Sequence, residues 1–270
     1  MSCKIRDKMR EAVLEGRPVT EFQVVDAHTH LGYWYNFNIP WRTAEDMVRV
    51  MDKVGVECCI STAHAAIGPD YRYGNSQVIE AMRAFPGRIL GYCTINPNYP
   101  DSEKLDELNR CFDAGMVAIK YHPSCHLHPI DGAGYEVSWK YAQEHCLPIL
   151  THTDTGGQFC DVVKSGMCAR MYPDSKLLIG HCGFGYKGAD LCIQVAKEVS
   201  NTYFDLAAST ANLDLVEKIV AGVGSERVVF GTDLPFLDSR IQIGRLAFSR
   251  LDDNQLTLVL GQNARRIFGL

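Results

Sequence analysis

Thr43-Ala44-Glu45-Asp46-Met47-Val48-Arg49-Val50-Met51-Asp52-Lys53-Val54-Gly55-Val56-Glu57-Cys58-Cys59-Ile60-Ser61-Thr62-Ala63 reads as one helix handed directly to one strand. Met47, Val48, Met51 and Val54 recur at three- and four-residue spacing, the period of an amphipathic helix. Thr43 stands before Ala44, Glu45 and Asp46 as an N-cap with an acidic first turn, and Gly55 follows the periodic stretch as a C-cap. The short apolar run 57–63 then has the length and composition of a buried strand. The same unit recurs in both directions. Strands are predicted at 22–27, 57–63, 89–95, 116–121, 148–152, 176–181, 202–206 and 227–231, with helices between them such as 102–114, closed by Gly115, and 212–223. Strands alternating with helices imply a parallel sheet, and eight such units without a linker favour a closed (β/α)8 TIM barrel over an open doubly wound sheet. No Gly-rich phosphate loop follows the first strand, which weighs further against the open sheet. Residues 1–270 are expected to form one barrel domain. Residues 1–20 would be a helical extension, with its helix at 4–14, and 253–268 the last helix.

The chain has 270 residues, 46% apolar and 22% charged, the composition of a globular protein able to bury roughly 70–75% of its unfolded surface. Its 27 Lys+Arg against 32 Asp+Glu give a net charge of −5, which argues against a nucleic-acid partner, since phosphate affinity needs clustered positive charge. No apolar run approaches the roughly 18–20 residues of a bilayer span, and the first 20 residues mix Lys, Arg and Glu where a signal peptide has an apolar core. The expectation is a cytoplasmic protein with no membrane contact and a small-molecule substrate, a homo-oligomer being left open. The 11 cysteines lie mostly in apolar segments, as Cys58, Cys59, Cys93 and Cys192 do, without C-x-x-C spacing. They read as buried free thiols of a reducing compartment.

Barrel enzymes place their chemistry at the C-terminal ends of the strands. The first strand ends Val25-Asp26-Ala27-His28-Thr29-His30, and the two-residue period of a strand points both imidazoles to one face. Three further strands end in His152, His181 and Asp233. A lone histidine at a strand end is more often a hydrogen-bonded structural residue. Five metal-capable side chains at equivalent ends of four strands point instead to a bound zinc or similar first-row ion. His122, His126 and His128 follow strand four and would overhang the same mouth, with His64 after strand two. His145 sits at a helix C-terminus, where a partly cationic ring complements the dipole. Lys120 shares the inward parity of His122. Beside a metal it would pair with an acid, stay neutral, or be carboxylated into a bridging ligand.

With these residues in hand, the chain resembles the amidohydrolase superfamily, in particular its amidohydrolase-related branch, which includes aminocarboxymuconate-semialdehyde decarboxylase. The resemblance runs from Val25-Asp26-Ala27-His28-Thr29-His30 through Ile149-Leu150-Thr151-His152, Leu178-Ile179-Gly180-His181 and Phe230-Gly231-Thr232-Asp233-Leu234-Pro235-Phe236 to the closing Asn263-Ala264-Arg265-Arg266-Ile267-Phe268-Gly269-Leu270. It implies a metal-dependent barrel enzyme, usually with zinc, in which His28, His30, His152 and Asp233 hold the ion. One ion is favoured, and Lys120 keeps a bridged pair open. The absence of a strand-four Glu weighs against a nuclease.

Two reactions fit. The first is hydrolysis of a small ester, lactone or amide by a metal-activated water, with Asp233 moving the proton and His181 holding the water or polarising the carbonyl. The second is non-oxidative decarboxylation or hydration of an unsaturated carboxylic acid on the same residues. The loop 32–41, with Trp34, would form an aromatic wall for a planar substrate. Arg72 would face a substrate carboxylate, and His122 would contact substrate. A barrel that binds metal only as a scaffold or sensor is the non-catalytic alternative.

Overall fold

Strand β1 (Val24–Leu31) is buried along its whole length, as expected of a parallel strand covered on both faces. The computed structural model describes residues 5–210 and 212–270. Seven further strands follow: β2 (Val56–Ala63), β3 (Ile89–Thr94), β4 (Ala118–Tyr121), β5 (Pro148–Thr151), β6 (Lys176–Ile179), β7 (Thr202–Asp205) and β8 (Val228–Val229). They lie in sequence order, and every neighbouring pair is parallel. The ring closes where β8 leads into an irregular segment, in which Asp233 takes φ 63°. There Ala27 N–H donates to Phe230 O (2.9 Å), Asp233 N–H to His28 O (2.8 Å) and His30 N–H to Leu234 O (2.6 Å). The predicted TIM barrel is the fold observed.

The helices are α1 (Ile5–Leu14), α2 (Ala44–Val54), α3 (His64–Ile67), α4 (Tyr71–Ala84), α5 (Asp101–Asp113), α6 (Pro123–His126), α7 (Glu136–Glu144), α8 (Val162–Met171), α9 (Gly185–Glu198), α10 (Leu213–Val223), α11 (Ser239–Phe248), α12 (Asp253–Thr257) and α13 (Asn263–Phe268). The first residue of the predicted helix 4–14 lies outside the described residues. Helix α2 carries the boundary signals read from its sequence. Asp46 N–H donates to Thr43 Oγ1 (3.1 Å) while Thr43 N–H donates to Asp46 Oδ2 (3.3 Å), a capping box. Gly55 ends the helix at φ 88°, where a Cβ would also lie 2.0 Å from Val19 O.

Two apolar layers result. One packs the strands' outer faces against the helices. The other fills the barrel with Val25, Ala27, Ile60, Tyr92, Ala118, Leu150, Leu178 and Val229, and is plugged below by Ala264, Ile267 and Phe268. The last predicted helix, 253–268, is observed with a π-bulge inside it. A π-helical turn (Leu258–Gln262) joins α12 to α13, and the Val259 carbonyl within it accepts from Phe230 N–H (2.9 Å). Strand β8 is shorter than the expected 227–231 for the same reason: beyond Val229 its backbone pairs with that turn and with β1.

Candidate metal centre

The residues at the mouth are aimed by two departures from regular strand geometry. Val25 and Ala27 point into the barrel, so strict alternation would turn His28 and His30 outward. The register with β2 slips between Asp26 and Thr29, three residues of β1 spanning two of β2. Such a bulge reverses the alternation, and both imidazoles line the cavity instead. Asp26 ties this bulge to the closing segment, accepting from Thr232 Oγ1 (2.5 Å), Thr232 N–H (3.0 Å) and His28 N–H (3.2 Å). Burial pushes its carboxyl up to about 7 despite those bonds.

The second departure follows β6. His181 was expected to end the strand, but the strand stops at Ile179, and 181–185 all take positive φ, from 49° at Cys182 to 69° at Gly185. Residues other than glycine rarely adopt this region. Here Thr153 over-determines it, its hydroxyl donating to Gly180 O (2.6 Å) and accepting from Gly183 N–H (3.1 Å). The turn puts both His181 and Phe184 into the cavity, their rings stacked 4.6 Å apart.

A cavity of about 280 Å³ results, with His28, His30, Lys120, His122, His152, His181 and Asp233 in its wall, and Trp34, Phe37, Phe184 and Phe236 as apolar lining. Of the four expected ligands, His28, His30 and Asp233 converge, with donor atoms within 4.8 Å of one another. His30 Nε2 is 3.2 Å and His28 Nε2 3.7 Å from Asp233 Oδ1. Burial alone would raise the Asp233 carboxyl. The bond from His30 and the closely packed imidazoles of His181, His28 and His30 outweigh it, holding the group well below the usual carboxylate range.

His28 is held from behind, its Nδ1 2.6 Å from Asp205 Oδ2. A carboxylate on one imidazole nitrogen fixes the tautomer that offers the other to a metal. Two convergent imidazoles, one carboxylate and this carboxylate brace suit a divalent first-row cation. Lys120 is buried with Nζ 2.7 Å from His28 Nε2, and burial lowers its pKa to about 8. His181 donates from Nδ1 to Ala207 O (2.6 Å), which leaves Nε2 an acceptor while the ring is neutral. Burial, followed by the neighbouring imidazoles of His28 and His152, holds it neutral.

The fourth expected ligand, His152, lies on the same cavity but turns to a different group. Its Nε2 is 3.3 Å from Asp154 Oδ1, and its ring stacks on His122 at 4.2 Å. His152, Asp154 and Cys160 also converge within 4.8 Å, though burial pushes the Cys160 thiol up to about 12, keeping it protonated. Trp34 packs edge-on against Phe236 at 5.4 Å. Arg72 is not in the expected loop. Asp70 caps the N-terminus of α4 and Arg72 belongs to that helix, where it reaches Glu103 O (3.4 Å) and Glu107 (3.8 Å), away from the cavity wall. His64 begins α3 instead of ending β2, with Nδ1 2.9 Å from Gly32 O. Asp205 was missed. Its signal was present, an acid at the end of strand seven in the position that supplies His and Asp in the neighbouring strands.

An eight-stranded parallel barrel with imidazole and carboxylate donors at its C-terminal mouth defines a metal-dependent barrel enzyme. The family model described as Amidohydrolase matches residues 25–270, so the chain belongs to the amidohydrolase family, whose members act on small molecules. No curated protein matches it in sequence. Among solved structures, 2,6-dihydroxybenzoate decarboxylase from Rhizobium is 15% identical, with 92% of this chain and 99% of that one covered and a TM-score of 0.73. 5-Carboxyvanillate decarboxylase from Sphingomonas paucimobilis is 13% identical, with 92% and 99% covered and a TM-score of 0.70. Dihydroxybenzoic acid decarboxylase from Polaromonas sp. JS666, with bound manganese and 2-nitroresorcinol, is 17% identical, with 92% and 97% covered and a TM-score of 0.70. Among the described residues, no helix is long and apolar enough to cross a membrane.

Proposed function

We propose that the protein is a metal-dependent, non-oxidative decarboxylase of a planar unsaturated or aromatic carboxylic acid. The observation that carries this reading is the placement of the His28, His30 and Asp233 donors beneath an aromatic wall of Trp34, Phe37, Phe184 and Phe236. Three similar solved structures are decarboxylases of hydroxylated aromatic acids, which favours this reaction over the hydrolysis also expected from sequence. His28, His30 and Asp233 would hold one divalent ion, with His152 as fourth ligand. Manganese in a similar structure stands beside zinc as its identity. When bound, the ion supplies a Lewis acid for the substrate's oxygen atoms.

The chain's own groups do the rest. The aromatic residues stack on the substrate ring and exclude water. The bond between the ring carbon and the carboxyl carbon breaks, its electron pair stays on the ring carbon, and carbon dioxide leaves. The acid's own proton takes the vacated position, and Asp233 is placed to accept that proton and deliver it to carbon. His181 Nε2 accepts a hydrogen bond from a substrate hydroxyl. The test is to supply metal-loaded protein with 2,6-dihydroxybenzoate, 5-carboxyvanillate and other planar acids, and separately with small esters, lactones and amides. Carbon dioxide release with one equivalent of decarboxylated product is expected. Turnover of the esters, lactones or amides without carbon dioxide from any acid would replace this reading with hydrolysis.

A further inference from the structure

Behind the mouth, helix α11 buries two polar side chains, Gln242 and Arg245, only 2% and 4% exposed. A buried guanidinium is expensive, and this one is bound through Nη1 alone, its buried Nε having no partner among the described residues. Arg245 Nη1 donates to Gln242 Oε1 (2.6 Å) and to Leu206 O (3.2 Å). Gln242 Nε2 in turn donates to Ala208 O (2.7 Å). The two side chains therefore grip the carbonyls on either side of Ala207, in the loop leaving β7.

The end of β7 and that short loop carry what orients two histidines of the site. Asp205 holds His28 Nδ1 at 2.6 Å, and its other oxygen accepts from Ala207 N–H (3.0 Å). The Ala207 carbonyl holds His181 Nδ1 at 2.6 Å. Both imidazole tautomers thus depend on where residues 205–207 sit, and α11 is the element that grips this loop at Leu206 and Ala208. The apolar residues of α11, such as Leu246, would hold the helix in place without Gln242 or Arg245. What the polar pair adds is the set of hydrogen bonds to the loop's carbonyls.

We infer that Gln242 and Arg245 are positioning residues, which set the loop Leu206–Ala208 and through it the ring orientation of His28 for the metal and of His181 for the substrate. The inference rests on the metal-binding part of the proposed function, not on the reaction, and it is tested without substrate.

Two readouts serve: the metal dissociation constant, from competition with a chromophoric chelator using manganese and zinc, and the hydrogen-bonded Nδ1–H proton signals of His28 and His181 in the metal-free protein. Gln242→Leu and Arg245→Met should each weaken metal binding by about tenfold or more, the usual effect of removing a group that orients a metal-binding histidine. Each should also broaden or shift the His181 Nδ1–H signal. Gln242→Glu keeps the side chain's shape and Arg245's acceptor but loses the donor to Ala208, so it should reproduce the effect if Gln242→Leu does not fold. Arg245→Lys, which retains a cation and a donor, should recover part of the loss seen in Arg245→Met. Leu246→Ala is the control, since it loosens the same helix while keeping the hydrogen bonds from Gln242 and Arg245 to the loop, and it should lower stability with little change in either readout.

Wild-type metal affinity and ring signals in both Gln242 variants would overturn the inference, as would losses in Leu246→Ala equal to theirs at matched stability. A wild-type protein that binds no metal, yet whose Gln242 variants alter the ring signals, would leave the positioning role standing and remove the metal-binding reading.

Discussion

The Lys120 amine donates toward the lone pair of His28 that a metal needs, with Nζ 2.7 Å from Nε2. Nδ1 of the same ring faces Asp205, so Nε2 is the acceptor in this contact and the lysine occupies the metal's approach. Two outcomes separate a single ion from a bridged pair. With one ion, Lys120→Met removes a competing cation, and metal affinity should rise by roughly tenfold, as expected for relief of a like charge. With two ions bridged by a carboxylated lysine, the same variant should lose one of two equivalents, which elemental analysis reads directly. Asp233→Asn keeps an oxygen ligand of similar shape and loses the proton carrier. Metal binding should therefore weaken but stay measurable, while turnover falls by roughly 10²- to 10⁴-fold. A metal-replete Asp233→Asn protein with wild-type turnover would move the proton transfer elsewhere. His152→Ala tests the fourth ligand: occupancy and turnover should fall together, and a variant that keeps both would confine His152 to its contacts with Asp154 and His122.

At the scale of elements, the alternation of strands and helices was legible because each signal is local: apolar period, cap and stop. Gly55 shows the strength of such a signal. It holds φ 88°, and a Cβ there would meet the Val19 backbone at 2.0 Å, so Gly55→Ala should destabilise the protein by roughly 2–3 kcal/mol. A urea midpoint unchanged from wild type would show that the junction relaxes freely. The strand ends carrying His28, His30, His152 and Asp233 were legible for the same reason. What stayed hidden depends on distant partners. The bulge in β1 is set by its pairing with β2 and by Asp26 reaching Thr232, 206 residues away. The left-handed turn at 181–185 is held by Thr153, and no propensity of His181 or Cys182 announces it. The π-helical turn joining α12 to α13 meets the closing strand, Phe230 N–H donating to Val259 O. Arg72 was misplaced because Asp70 was not read as the cap that begins α4.

At the scale of the whole molecule, burial holds seven of the nine histidines below their ordinary pKa, and acid should unfold the protein by charging them. His126 isolates the effect away from the metal centre. Its Nε2 is 3.3 Å from Ala66 O and its Nδ1 3.3 Å from Tyr135 Oη, so the neutral ring can donate to the carbonyl and accept from the phenol. Burial is the main cause that lowers it to about 4. In the unfolded chain it takes a proton near pH 6.5. The unfolded state therefore binds more protons between about pH 6.5 and 4, and stability is lost as pH falls through that window. The full effect is about 3 kcal/mol below pH 4, and about 2 kcal/mol is already lost at pH 5. His126→Gln can reproduce both hydrogen bonds without titrating. It should be less stable than wild type at pH 7 by about 1 kcal/mol, and that deficit should vanish or reverse at pH 5. Urea unfolding of both proteins at the two pH values makes the comparison, with every other histidine common to both. An equal deficit at pH 7 and pH 5 would show that His126 takes up its proton at the same pH in the folded protein as in the unfolded chain, and would shift the acid sensitivity to the histidines of the mouth.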